Sequence, residues 1–290
     1  MADAIFITGA TGNTGQALLR LLVSDDAFRG APITCLCRPG GRGERLLPFG
    51  VKIAGGDASD AGSLRKVYQG EPVVIHISSI FHTGAVLEGC AGMKRLIAVS
   101  STRVYSKTWD KAKEIEAAER AIAESGVPFT ILRPTMIYGT SEDRNISRLI
   151  RFTQKWPVVP LPGGGSSLFQ PVHVADLAGC ILAALKIERS VGKTYDLPGG
   201  SAHSLREIVA IIAGTIGKKV LCVPLPLGFV ETASSLQTKL FGRTPLRPEQ
   251  IQGLREDKQY DYSDAARDLG YAPRPFKEGV AQEIRAMNLV

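Results

Sequence analysis

The chain has no apolar run long enough to cross a bilayer; its longest apolar stretches have the length of strands. Its opening residues, Met1-Ala2-Asp3-Ala4, carry no basic cluster ahead of an apolar segment, so neither a membrane span nor a secretory leader is expected and a cytoplasmic setting is the default. Cysteine is scarce. The five cysteines (Cys35, Cys37, Cys90, Cys180 and Cys222) are odd in number and mostly embedded in apolar runs, which predicts buried thiols in a reducing compartment rather than a disulfide framework. Cys35 and Cys37 would share one face of a strand, yet no second Cys or His cluster completes a metal site, so no metal is expected. Charge is not concentrated either: a net +7 is spread along the chain, which speaks against a nucleic-acid stripe and leaves small anionic ligands as a use for it. There is no internal repeat and no low-complexity tail. With 290 residues, 44% of them hydrophobic, the chain can bury one large core with a smaller lobe attached.

The most informative segment is Ile5-Phe6-Ile7-Thr8-Gly9-Ala10-Thr11-Gly12-Asn13-Thr14-Gly15-Gln16-Ala17-Leu18-Leu19, an apolar strand that runs through three glycines into an apolar-periodic helix. Glycines three apart permit a tight turn, let backbone N–H groups approach a pyrophosphate and let the helix start close to its strand, while the helix dipole favours the anion. Such a turn predicts a dinucleotide cradle.

Through about residue 135, short β-rich runs alternate with helical ones, the pattern of a parallel, doubly wound α/β sheet. Strands are expected near 4–8, 33–37, 51–54, 73–77, 95–99 and 128–132, and helices near 14–23, 60–68, 84–90 and 111–124. Beyond Gly139 the regularity breaks, and Trp156-Pro157-Val158-Val159-Pro160-Leu161-Pro162-Gly163-Gly164-Gly165 reads as a lobe boundary or substrate-side loop. A helix over 174–185 and a strand over 193–197 suggest that residues 166–198 rejoin the dinucleotide-binding domain of residues 1–139. Residues 140–165 and 199–290 then form a substrate-side lobe, mainly helical after the capped start Ser204-Leu205-Arg206-Glu207.

The spacing Gly9-x-x-Gly12-x-x-Gly15 resembles the fingerprint of extended and atypical short-chain dehydrogenase/reductase (SDR) proteins. Further blocks resemble the NAD-dependent epimerase/dehydratase family in the same order: Gly56-Asp57, Val99-Ser100-Ser101-Thr102-Arg103-Val104-Tyr105, Thr130-Ile131-Leu132-Arg133-Pro134 with Ile137-Tyr138-Gly139, Gln170 to Ala178 and Asp268-Leu269-Gly270-Tyr271. The resemblance covers almost the whole chain and implies a Rossmann-type sheet with its ligand at the strands' C-terminal ends. It assigns cofactor contacts to Thr8, Gly9, Thr11, Gly12, Asn13, Thr14, Gly15, Arg38, Asp57, Ala58, Ser78, Ser79, Ser100, Arg133, Pro134 and Thr135, and implies a possible homodimer built on the helices at 84–90 and 111–124.

Cofactor choice is read at the end of the second strand, where an acid suits the free ribose of NAD and a cation the extra phosphate of NADP. Here Cys35-Leu36-Cys37 is followed by Arg38, with Arg42 and Arg45 further on and no acid before Glu44, so NADP(H) is favoured over NAD(H). Arg42 and Arg45 belong to the same basic cluster, with solvated loop residues as their alternative reading; Arg38 is the principal phosphate ligand.

The family's catalytic unit is a Ser/Thr that orients substrate and a Tyr acidified by a Lys four residues later. Ser101 matches the first. If Glu119 is the acid that follows the dyad, its Tyr and Lys positions hold Lys111 and Ile115, and a shifted register gives Trp109 and Lys113; the standard dyad is missing. Tyr105 and Lys113 are the substitute proton carriers, with Tyr138 and His82 as weaker candidates, and His173 and Asp176 read as structural. Two functions follow. The first is an NADP-dependent oxidoreductase or epimerase acting on a nucleotide sugar or small carbonyl compound, with Ser101, Tyr105 and Lys113 as catalytic residues, which the size of the C-terminal part favours. The alternative is a non-catalytic NADP(H)-binding sensor or regulatory protein.

Overall fold

Seven parallel strands form the central sheet of the computed structural model, which describes residues 3–230, 232, 253 and 256–289. They are β1 (Ile5–Thr8), β2 (Ile33–Cys37), β3 (Lys52–Gly55), β4 (Val73–His76), β5 (Arg95–Val99), β6 (Phe129–Pro134) and β11 (Lys193–Leu197), in the order β11-β6-β5-β4-β1-β2-β3. The order reverses between β1 and β4, the switch point at which a doubly wound sheet leaves a crevice.

Both faces of the sheet are covered, which explains why the strands read as continuous apolar runs rather than alternating ones. Side chains still alternate. Ile5, Ile7, Ile75 and Ile97 point to a core shared with Leu18, Leu19 and Leu22 of α1 (Asn13–Ser24) and Leu177 and Ile181 of α6 (Val174–Lys186). Phe6, Val74, Leu96 and Ala98 point the other way, to Leu64 of α2 (Ala61–Val67), Val86 of α3 (Thr83–Gly89) and Ile115 and Ile122 of α4 (Ala112–Glu124). The expected strands and helices of the first 135 residues all form, each within two residues of its expected bounds.

Among the described residues the remainder holds strands, and one helix, that the pattern did not anticipate. Residues 156–165, read as a punctuated loop, contain β8 (Val158–Pro162), which buries Val159 and Leu161 while exposing Val158 and Pro160, and pairs in parallel with β13 (Leu221–Leu225). Two further pairs are β7 (Ile137–Tyr138) with β10 (Val172–His173) and β9 (Leu168–Phe169) with β12 (His203–Ser204). Proline hid β8, because a strand that pairs along one edge can carry prolines at positions where no N–H is needed. The helix α5 (Ile146–Lys155) was also not anticipated; Asp143, outside the apolar run, accepts from the Ser147 N–H and starts it. Together α5, α7 (Leu205–Ile216) and α9 (Phe276–Ala286) enclose a second core around Tyr138, Ile150, Ile212, Phe276 and Val280. The start of α7 is the capping box read from the sequence: the Ser204 hydroxyl accepts from the Glu207 N–H while Glu207 accepts from the Ser204 N–H. A short α8 (Ser263–Leu269) packs beside β11. The part of the expected C-terminal lobe at 233–252 lies outside the described residues.

Candidate dinucleotide site

The three glycines are required for three different physical reasons. Gly9 turns with φ +78°, and a Cβ there would stand 2.6 Å from the Ser78 backbone nitrogen at the end of β4. Gly15 lies where α1 crosses its own turn, and a Cβ would stand 2.5 Å from both Ala10 Cα and the Gly9 carbonyl oxygen. A Cβ on Gly12 would meet the Gly9 oxygen alone, at 3.3 Å, so its outer side is open. Gly12 is also the N-cap of α1 and offers no side-chain acceptor, which leaves the first N–H groups of the helix free for an anion. A cradle that is crowded behind and open in front, with unsatisfied donors facing out, fits a pyrophosphate.

A cavity of about 310 Å³ opens over this turn. Gly9 and Thr11 to Gly15 line its floor, Arg42 and Arg45 one side, and Ile137, Tyr138, Thr140 and Glu142 the other. The Asn13 side-chain amide donates to the Thr140 hydroxyl at 2.7 Å, and Glu142 takes Arg42 at 3.0 Å and Arg45 at 2.6 Å. Arg42 and Arg45 therefore belong to the cavity wall rather than to a freely solvated loop. Glu142, Thr140 and Asp143 were missed altogether, since a carboxylate about a hundred residues from its arginines leaves no local signal.

Arg38 is exposed just past β2, and Asp57 accepts from the Ser59 N–H and hydroxyl; these bonds, with Arg38 nearby, hold its carboxyl below the usual range. Ala58 is buried beside it. The Thr8 hydroxyl bonds to His76 Nδ1 at 2.8 Å and to the Ser78 hydroxyl at 3.1 Å, tying β1 to the end of β4, and Ser79 begins the helical turn Ile80–His82. His76 is wholly buried with Nε2 unpartnered, and burial first, then the neighbouring His82, brings it down to about 4, so its ring is neutral at pH 7.

A second cluster lies at the C-terminal ends of β5, β6 and β11. Glu119, on α4, accepts from the Ser100 hydroxyl and from Nε and Nη2 of Arg133. Arg133 Nη1 donates to the Tyr105 hydroxyl at 2.6 Å, and Tyr105 donates to Asp196 at 2.9 Å. Burial, followed by the Asp196 carboxylate, raises the Tyr105 phenol above its ordinary value. A separate cavity of about 200 Å³, which shares no lining residue with the first, runs past Tyr105, Arg133, Asp196 and Asp261. Ser101 accepts from the Arg103 N–H as a turn cap, the Pro134 carbonyl accepts from Thr102, and Thr135 donates to the Gln170 carbonyl. Lys113 is exposed, Lys111 lies over the Phe81 ring at 5.5 Å, and Ile115 is 1% exposed in the core. His173 caps α6 by accepting from the Ala175 N–H, and Asp176 takes Arg274 through two nitrogens. Among the described residues no group of three or more His, Cys, Asp or Glu could hold a metal, and no helix is long and apolar enough to cross a membrane.

Residues 9–186 match the family model described as NAD(P)H-binding. The chain belongs to this NAD(P)H-binding family. It is 35% identical over 130 residues to subunit 9 of the NADH dehydrogenase [ubiquinone] 1 alpha subcomplex of Arabidopsis thaliana, covering 44% of this chain and 32% of that one. The Mus musculus protein of the same name is 30% identical over 247 residues, 76% of this chain and 63% of that one. The chain thus spans about a third of the plant relative and under two thirds of the mouse one. Among solved structures, an NADPH-dependent quinone oxidoreductase of Escherichia coli shares the fold with a TM-score of 0.74 at 21% identity, over 98% of this NAD(P)H-binding chain and 99% of that one.

Proposed function

We propose that this chain binds NADP(H) along the C-terminal ends of β1, β2 and β4 and holds it in a structural or sensing role, without a phenol–ammonium proton relay. Gly12 and the first turn of α1 would take the pyrophosphate, Arg38 the 2′-phosphate, and Thr8, Ser78 and Ser79 would flank the bound dinucleotide. Bound, the dinucleotide would bring a transferable hydride at C4 of its nicotinamide.

One observation carries the reading. Counted from Glu119, the α4 position that an activating ammonium would need belongs to Ile115, in the apolar core, while the candidate phenol, Tyr105, is engaged by Arg133 and Asp196 and has been made less acidic. A general acid must ionise near the working pH, and burial moves Tyr105 away from it. Lys113, exposed on α4, offers no pairing that would bring it to the cofactor. The plant and mouse relatives are named as a subunit of a larger dehydrogenase, which supports a role other than that of a free-standing enzyme.

The test is titration of the purified chain with NADPH and NADH, followed by absorbance at the reduced nicotinamide band on adding nucleotide sugars, quinones and small carbonyl compounds. Tight NADPH binding, a preference over NADH that Arg38→Ala abolishes, and no oxidation beyond the buffer rate are expected. Steady oxidation with any of these compounds would restore the oxidoreductase or epimerase reading, and equal binding of NADH by the unaltered protein would remove Arg38 from its role.

A further inference from the structure

We propose that Glu142 stands in for a phosphate: it holds Arg42 and Arg45 beside the glycine turn as their counter-ion, and an arriving phosphorylated ligand displaces it and takes both arginines. The inference rests on the reading of the glycine-turn cavity as a dinucleotide site and adds two phosphate ligands and one competitor to it.

Two guanidinium groups meet one carboxylate here, Arg42 Nη1 on Oε2 at 3.0 Å and Arg45 Nη2 on Oε1 at 2.6 Å. Two positive charges against one negative leave a surplus of one, which Arg144 and Asp143, also on the cavity lining, leave unchanged. The floor below is the uncapped N-terminus of α1, which adds partial positive charge of the same sign. A carboxylate neutralises half of the arginine pair; a phosphate dianion would neutralise all of it and accept from both planar forks.

The magnitudes favour exchange. Arg42 and Glu142 have side chains 60% and 47% exposed, and exposed ion pairs stabilise by roughly 0–1 kcal/mol, so giving up Arg42 costs Glu142 little; the contact a phosphate must replace is the one to Arg45, whose side chain is 22% exposed. Charge-assisted bonds to phosphate beside a helix N-terminus are stronger. The exchange also needs no loop to unfold. The backbone around Glu142 is tied on one side through Asn13 to Thr140, and on the other through Asp143, which accepts from the Asn145 and Ser147 N–H groups. The Glu142 side chain can swing away while its backbone stays in place.

The experiment compares NADPH and inorganic pyrophosphate binding to the unaltered protein, E142Q, R42A/R45A and the triple variant, by calorimetry at low and at 0.5 M salt, with melting curves to confirm folding. Expected are a tightening of about threefold to tenfold in E142Q for both ligands, shrinking at high salt, weakening in R42A/R45A, and no effect of E142Q once the arginines are gone. Unchanged or weaker binding in E142Q, or an equal gain without the arginines, would overturn the displacement. Should the unaltered protein bind no dinucleotide, the cavity reading falls, whereas a gain for pyrophosphate in E142Q would leave this inference standing.

Discussion

Arg133 grips Glu119 through two nitrogens, Nε at 3.0 Å and Nη2 at 2.5 Å, against a carboxylate whose side chain is only 7% exposed. The pair pins α4 to the exit of β6, and Ser100 completes it from the end of β5. Glu119→Ala would leave a mostly buried guanidinium without its partner, a loss on the order of 2–4 kcal/mol. Urea unfolding should show it as a lower midpoint with an unchanged slope.

Gly12 and Gly15 differ in what an added methyl would strike. Gly15→Ala places Cβ on backbone atoms at 2.5 Å and should cost about 1–3 kcal/mol or more in stability. Gly12→Ala meets one atom at 3.3 Å, so melting should move by a few degrees at most while NADPH affinity falls by about tenfold or more. Parallel melting curves and cofactor titrations separate the two effects.

Glu283 is buried on α9, accepts from the Gly139 N–H, and is pushed up to about 9 by desolvation and then by Asp143. Because its folded value lies above its unfolded one, the folded chain keeps the proton longer; stability is fully present below about pH 4.5 and drains away as pH rises toward 9. Glu283→Gln keeps a donor toward Asp143 and removes the titration. Its unfolding free energy should therefore fall less steeply between pH 5 and 9, with a gain at pH 8 of about 1–2 kcal/mol relative to the unaltered protein.

His173 runs in the opposite direction. Burial, then Arg274, lowers it to about 4, and its Nδ1 accepts from the Ala175 N–H at the start of α6. The unfolded chain takes up the proton first, so stability is lost as pH falls from about 6.5 toward 4, and His76 acts in the same sense. His173→Asn, which keeps an N-cap acceptor, should flatten that acid limb by up to one proton, about 1.4 kcal/mol per pH unit, in urea midpoints measured from pH 4.5 to 7.

Tyr105→Phe removes a hydroxyl that accepts from Arg133 and donates to Asp196. A destabilisation of about 1–2 kcal/mol with no change in NADPH affinity is expected, since the phenol borders the second cavity and not the glycine turn. A tenfold loss of NADPH binding would move Tyr105 into the cofactor site.

Local pattern alone determined the sheet, its helices and the glycine turn. Strands such as Ile5–Thr8 and Arg95–Val99 are short, apolar and bounded by turn residues, and the three glycines lie within seven residues of one another, so everything that specifies them is contiguous. Also legible was the helix start at Ser204, where cap and partner are three residues apart. What tertiary structure decided was pairing at a distance. Arginines whose partner the chain does not reveal meet Glu142 from the far side of the cavity, Tyr105 finds Asp196 ninety-one residues away, and β8 gains its identity from β13 across two intervening helices, α6 and α7. A side chain's charge is written in the sequence, but the group that answers it is chosen by how the chain returns on itself.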